Sequence, residues 1–207
     1  HRPRTLTEDE RGAALAPPRS KCCIPAPPVL EFDVAGNFVQ GWGGPAQNNE
    51  GYDWVESEHG IYVDPKGFVW IGGNGPKDAH ILKFTKDGKF LQQFGNLGKN
   101  AGSNDLTNFG RVAKIWIDPK ANEAYVADGY LNKRVAVLDV DTGKIKGHHQ
   151  YHHNDAWDWD EVSAPILMDT KINGRNVKGA VHAGRNGYLW MLDRQTSGKI
   201  DFVNAVP

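Results

Sequence analysis

Ile115-Trp116-Ile117-Asp118-Pro119-Lys120-Ala121-Asn122-Glu123-Ala124-Tyr125-Val126, followed closely by Val137-Leu138-Asp139-Val140-Asp141-Thr142-Gly143-Lys144-Ile145, holds the unit from which most of the chain is built. In each run most apolar residues are β-branched or aromatic and stand on both sides of a turn signal. Asp-Pro-Lys-Ala-Asn interrupts the first and Asp-Val-Asp-Thr-Gly the second. Pro fixes one backbone angle, Gly permits positive φ, and Asp and Asn close the turn through their side chains. The reading is two consecutive antiparallel hairpins.

Outward from this stretch the same unit recurs. The second hairpin returns as Leu30-Glu31-Phe32-Asp33-Val34-Ala35-Gly36-Asn37-Phe38-Val39, as Leu82 through Leu91, and as Met191 through Ile200. The first hairpin returns as Ile61-Tyr62-Val63-Asp64-Pro65-Lys66-Gly67-Phe68-Val69-Trp70-Ile71. A less regular copy runs from Pro165 through Val181 and resumes at Tyr188-Leu189-Trp190. Two hairpins in series make a four-stranded sheet of about 40 residues, the blade of a β-propeller. A lone blade cannot bury its faces and must stack on neighbours. The fold class expected is all-β: a β-propeller of about three and a half four-stranded blades, with Val29 to Trp42 supplying the outer half of one. The chain then closes as a small four-bladed ring or forms a segment of a larger one. Trp70, Tyr125 and Trp190 are expected on equivalent strands of successive blades.

Bulk composition narrows the function. Lys plus Arg total 24 and Asp plus Glu 25, so the net charge of -1 lacks the basic excess of a nucleic-acid-binding surface. No apolar run approaches the roughly 18 residues of a membrane span. Neither a G-x-S-x-G nucleophile motif nor a phosphate-binding loop is present, which disfavours acyl and phosphoryl transfer. The chain opens on His1 and an Arg-rich stretch without an apolar centre, so a processed or partial chain is expected. Cys22 and Cys23 are adjacent, which leaves a vicinal disulfide and two ordinary thiols both open.

Residues from about 22 to 144 resemble NHL-repeat propellers of bacterial secreted or periplasmic proteins. Cys22 to Val29, Glu58-His59-Gly60-Ile61 and Tyr125-Val126-Ala127-Asp128-Gly129-Tyr130-Leu131-Asn132-Lys133-Arg134-Val135 carry that resemblance. The same stretch is similar to peptidyl-hydroxyglycine α-amidating lyases, zinc propellers in which a His and a Tyr at the positions of His59 and Tyr130 act. The lyases' remaining zinc histidines have no counterpart here. The NHL resemblance implies a non-catalytic scaffold for a peptide, glycan or protein partner.

Residues from about 144 to 207 resemble a different family. His152-His153-Asn154-Asp155-Ala156-Trp157-Asp158-Trp159-Asp160, and then His182-Ala183-Gly184-Arg185-Asn186-Gly187-Tyr188-Leu189-Trp190-Met191-Leu192-Asp193-Arg194, resemble pyrroloquinoline-quinone (PQQ) dependent alcohol dehydrogenases. The resemblance implies oxidation of a small alcohol in the periplasm or outside the cell. It implies PQQ with Ca²⁺ or a lanthanide as cofactors, Asp158 as general base, Asp160 as metal ligand and Arg185 as a quinone contact. A base near the substrate hydroxyl and a Lewis acid at the quinone suit that chemistry, and hard oxygen donors suit those cations. If Asp158 and Asp160 lie on a strand they share a face, with Trp159 turned away. Two carboxylates that close repel unless a cation lies between them. Metal is expected to bind there, and PQQ binding to require it; without metal, Arg185 is the nearest candidate cation.

These resemblances divide the chain into an irregular segment 1–28, NHL-like blades 29–146 and a quinoprotein-dehydrogenase-like blade 147–207. They meet at Asp141 to Lys144, a turn common to both, so a composite sequence is expected, with Gly147 to Ala156 packed less regularly than Val135 to Ile145. Within His148-His149-Gln150-Tyr151-His152-His153 neighbouring side chains on a strand point to opposite faces. Solvated or stacking histidines are therefore expected there rather than a metal site.

Overall fold

The computed structural model describes residues 16–17, 26–46 and 51–195, and the strand 201–206 as backbone. Cys22-Cys23, most of segment 1–28 and residues 196–200 lie outside the described residues. All regular structure described is β. Strands β1 (Val29–Phe32) and β2 (Phe38–Trp42) form a two-stranded sheet. Three four-stranded meanders follow. The first is β3 (Glu58–Val63), β4 (Val69–Gly73), β5 (His80–Phe84) and β6 (Phe90–Gly95). The second is β7 (Lys114–Asp118), β8 (Glu123–Asp128), β9 (Arg134–Asp139) and β10 (Ile145–Gln150). The third is β11 (Ile166–Ile172), β12 (Arg175–Ala183), β13 (Leu189–Asp193) and β14 (Asp201–Val206). These are the expected half blade and three blades.

Successive residues of a strand face opposite sides of the sheet, and in the middle blades both sides are buried. Val69, Ile71 and Leu82 pack toward β1–β2 with Val29 and Trp42, whereas Trp70 and Ile81 pack toward the second blade with Ile115, Val126 and Ala136. On that blade's far side Tyr125, Val135 and Val137 meet Ala180 and Leu192 of the third. The innermost strands approach closely: a Cβ on Gly60 of β3 would lie 2.7 Å from the Ala113 carbonyl oxygen beside β7, so only glycine fits. Arg194 joins the second and third blades through Asp118 at 2.9 Å. At the two ends of the stack Ile61 and Val63, and Ile166 and Met168, remain exposed. Among the described residues the buried clusters join successive sheets, and none joins the third blade to β1–β2.

Trp190 departs from expectation. Trp70 and Tyr125 lie on the second strands of their blades, β4 and β8, but Trp190 lies on β13, the third strand of its own. The reason is the hairpin Ile172-Asn173-Gly174-Arg175. Ile172 pairs with Arg175, and Asn173 and Gly174 both have positive φ, 50° and 79°, as a two-residue hairpin turn of the I′ kind requires. That turn adds a long pair, β11 and β12, ahead of Trp190. At the junction of the two resemblances, Gly147 to Gln150 pair in unbroken register with Val137 to Arg134 after one irregularity between Ile145 and Gly147. β10 thus runs across the boundary at residue 147.

Candidate functional site

One edge of the stack gathers the blade-to-blade connections and the turns between second and third strands. Residues 151–165 connect β10 to β11, residues 129–133 connect β8 to β9, and residues 184–188 connect β12 to β13. Asp155, Asp158 and Asp160 lie on the first of these, Lys133 on the second and Arg185 on the third.

Residues 151–165 contain no strand, so the shared-face geometry expected for Asp158 and Asp160 is not what forms. The loop is shaped instead by Asp155, whose carboxylate accepts the backbone N–H of Trp157 at 2.8 Å and of Trp159 at 2.9 Å. A short acid side chain closing a turn on its own backbone competes with strand pairing. The Trp157 backbone bond, with help from Lys133 and Trp159 against the opposing effect of burial, lowers the Asp155 pKa. Asp158 adopts a left-handed backbone with φ 61°, which Asp tolerates better than most residues. Its side chain is exposed and makes no hydrogen bond or ion pair within the described residues. Trp157 and Trp159 stack at 6.4 Å with 27° between their planes, and Trp157 is 75% exposed. A flat aromatic surface thus flanks Asp158.

Asp160 has cationic neighbours. One carboxylate oxygen contacts Lys133 Nζ and the other lies 3.9 Å from Arg185 Nη1. The motifs of Asp160 and Arg185, well separated in sequence, therefore meet in space. Lys133 also lies 3.2 Å from Asp155 Oδ2. Burial by itself would lower the Lys133 pKa, but the hydrogen bonds and charges of Asp160 and Asp155 outweigh it and raise it.

Beneath the loop, Glu161 is buried between His152 and His182, which each direct Nε2 at one of its carboxylate oxygens. Tyr151 stacks on the His182 ring at 4.4 Å. This cluster anchors residues 151–165 to β12. Its backbone also presses on Gly129, where a Cβ would lie 1.5 Å from the Glu161 carbonyl oxygen. Glu161 and Lys133 carry no signal in local sequence, because each acts through partners on another element. His149 meets the Tyr151 ring edge-on at 5.4 Å and the Trp190 ring at a tilt at 5.5 Å, and His153 is exposed.

The second half of the Asp128-Gly129-Tyr130-Leu131-Asn132-Lys133-Arg134 run is structural. Buried Arg134 pairs with buried Asp128 at 2.8 Å and donates to the carbonyls of Ser103, Asp105 and Asn108. His59 and Tyr130 do come together, with Tyr130 Oη 2.7 Å from His59 Nε2. Among the described residues no group of three or more His, Cys, Asp or Glu side chains is arranged to hold a metal ion.

Residues 125–206 match the family described as PQQ: Glucose/ethanol/alcohol dehydrogenase, beta-propeller domain. The quinoprotein alcohol dehydrogenase PedH of Pseudomonas putida is 34% identical over 152 residues, covering 63% of this chain and 24% of that protein. A lanthanide-dependent methanol dehydrogenase of Methylacidiphilum fumariolicum is 39% identical over 61 residues, covering 30% of this chain and 10% of that protein. The crystal structure of the quinohemoprotein alcohol dehydrogenase of Comamonas testosteroni superposes with a TM-score of 0.60 at 24% identity, over 86% of this chain and 32% of that one. The chain thus spans about a quarter of the length of PedH. The family match starts at residue 125, ahead of the Asp141 to Lys144 junction, and takes in the turn that carries Lys133. Residues 125–206, with both site motifs, are accordingly similar to the propeller domain of PQQ-dependent alcohol dehydrogenases, and the described chain shares their fold.

Proposed function

We propose that this chain supplies part of the active face of a secreted or periplasmic PQQ-dependent alcohol dehydrogenase, with a small alcohol as substrate. The observation that carries the reading is the meeting of Asp160 with Arg185 at 3.9 Å, on the loop that also presents Asp158. Asp158, exposed and unpaired within the described residues, is the proton acceptor: its carboxylate takes the hydroxyl proton of the alcohol. The proton acceptor of such a pair must come within hydrogen-bond reach of the hydroxyl, and an uncommitted carboxylate at the surface of a loop is available for that. Bound here, PQQ would accept the hydride that leaves the carbinol carbon.

The residues present suit a planar, anionic quinone. The Trp157 ring offers an exposed stacking face, and Arg185, 51% exposed at its side chain, offers a planar donor for quinone oxygens. They also suit a hard cation: Asp155 and Asp160 already hold a cationic nitrogen between their oxygens, and carboxylate oxygens are the donors that Ca²⁺ and lanthanides take. Asp160 would hold the metal, with Asp155 a second donor beside it. Glu161, His152 and His182 fix the loop from below, which keeps Asp158 and Asp160 oriented.

Quinone binding tests the reading. PQQ titrated into the chain in the presence of Ca²⁺ or a lanthanide should quench tryptophan fluorescence saturably, and Arg185→Ala should weaken binding about tenfold, as expected for loss of a charge-assisted contact. Quenching that does not saturate, or that Arg185→Ala and Trp157→Ala leave unchanged, would remove the quinone from this site.

A further inference from the structure

Lys133 has a backbone φ of 50°, a conformation that a lysine seldom adopts and that its surroundings must impose. Two neighbours fix the turn it sits in: Asn132 Nδ2 donates to buried Asp128 at 2.8 Å, and Gly129 lies against the Glu161 backbone. The result is an ammonium group placed between Asp155 and Asp160. The Lys133 side chain is 16% exposed, and those of Asp155 and Asp160 are 2% and 13% exposed. Charges withdrawn from water to that degree persist where opposite charge surrounds them.

On the reading above, Asp160 is a donor to a multivalent cation, and the following rests on that reading. A cation that bridges Asp155 and Asp160, as that reading has it, takes the position that the Lys133 ammonium holds. An ammonium and a metal ion cannot both sit there, since two positive charges a few ångströms apart repel strongly at this depth.

We propose that Lys133 is a resident placeholder cation. It holds Asp155 and Asp160 together while no metal is bound, and a metal must displace it to reach Asp160. Lys133 thereby sets the metal affinity of the site. Displacing a monovalent group costs the same whichever ion enters, but a trivalent ion gains more from the two carboxylates than a divalent one. Lys133 therefore weakens the binding of either ion by a similar factor, while the preference for a lanthanide over Ca²⁺ comes from the carboxylates.

Metal titration of the purified chain without quinone tests this, using Ca²⁺ by calorimetry and Tb³⁺ by emission sensitised through Trp157 and Trp159. Lys133→Met keeps the apolar stem and removes the charge. It should bind Ca²⁺ at least about tenfold tighter than the unmodified protein, and Tb³⁺ tighter by a similar factor. Adding Asp160→Asn to that variant should abolish the gain. In the unmodified protein, Tb³⁺ should free the Lys133 amine and raise its acetylation as read by peptide mass spectrometry. Unchanged or weaker Ca²⁺ binding by folded Lys133→Met overturns the proposal, as does Lys133 acetylation that stays constant while Tb³⁺ binds. None of these readouts involves PQQ, so a chain that binds no quinone would refute the proposed function and leave this result standing.

Discussion

Tyr130 donates its phenolic hydrogen to His59 Nε2 across 2.7 Å, while His59 Nδ1 gives its own proton to the Ala113 carbonyl at 3.1 Å. The pair ties the β8–β9 turn of the second blade to the innermost strand of the first, alongside the close approach at Gly60. It acts as a clasp between blades. Tyr130→Phe removes one hydrogen bond near the surface and should cost about 0.5–1 kcal/mol in urea unfolding. A loss of several kcal/mol would mean that the contact does more than join the two blades.

Arg134 carries a heavier load. Its guanidinium neutralises buried Asp128 and satisfies three carbonyls of the loop leading into β7. Arg134→Met leaves a buried carboxylate without its cation, so a loss of about 3–5 kcal/mol is expected. Arg134→Lys should restore only part of it, because an ammonium lacks the planar fork that reaches all four acceptors. Equal stability for Lys and Arg at this position would contradict the network described.

The backbone of Gly129 fits against Glu161 with no room for a methyl group. Gly129→Ala should push residues 151–165 away from the β8–β9 turn and cost about 1–3 kcal/mol, the range for overpacking a close contact. The displaced loop carries Asp158 and Asp160, so metal and quinone binding should weaken together. A stable Gly129→Ala protein with intact binding would show that the loop is held from elsewhere.

His149 provides a pH readout of the packing between the second and third blades. Burial, with the charges of His153 and His148 adding to it, pushes its pKa down from 6.5 to about 4. The unfolded chain takes up this proton at higher pH than the folded one, so the folded state is favoured above about pH 6.5 and loses that advantage as pH falls toward 4. The contribution is up to about 3 kcal/mol. Between pH 7 and pH 4, His149→Gln should lose less stability than the unmodified protein, by a margin of that order. Parallel pH profiles would show that His149 is not buried as described.

Much of the fold is legible in the chain because hairpin turns are local. Gly36, Gly88 and Gly143 all take positive φ at the repeated turns, and each turn joins adjacent strands that the alternating apolar residues mark. The third blade is harder to read because its register depends on Asn173-Gly174, a strong hairpin signal set among polar residues that weaken the strand pattern on either side. The site is legible in its residue types and not in its geometry. Asp158 takes a left-handed backbone because Asp155 folds the loop back on Trp157 and Trp159, and no strand alternation anticipates that. Lys133 belongs to a structural turn of the preceding blade, and its partnership with Asp160 exists only once the blades stack.

Alcohol oxidation in the presence of PQQ and metal, coupled to an artificial electron acceptor, tests the central claim most directly when the chain is compared with its Asp158→Asn variant. Asparagine matches aspartate in shape but cannot take up the hydroxyl proton. The predicted result is dye reduction that depends on alcohol, with kcat lower by about 10²- to 10⁴-fold in Asp158→Asn, the range for loss of a general base, and with PQQ affinity unchanged. Equal rates in the two proteins would contradict the assignment of Asp158 as the proton acceptor.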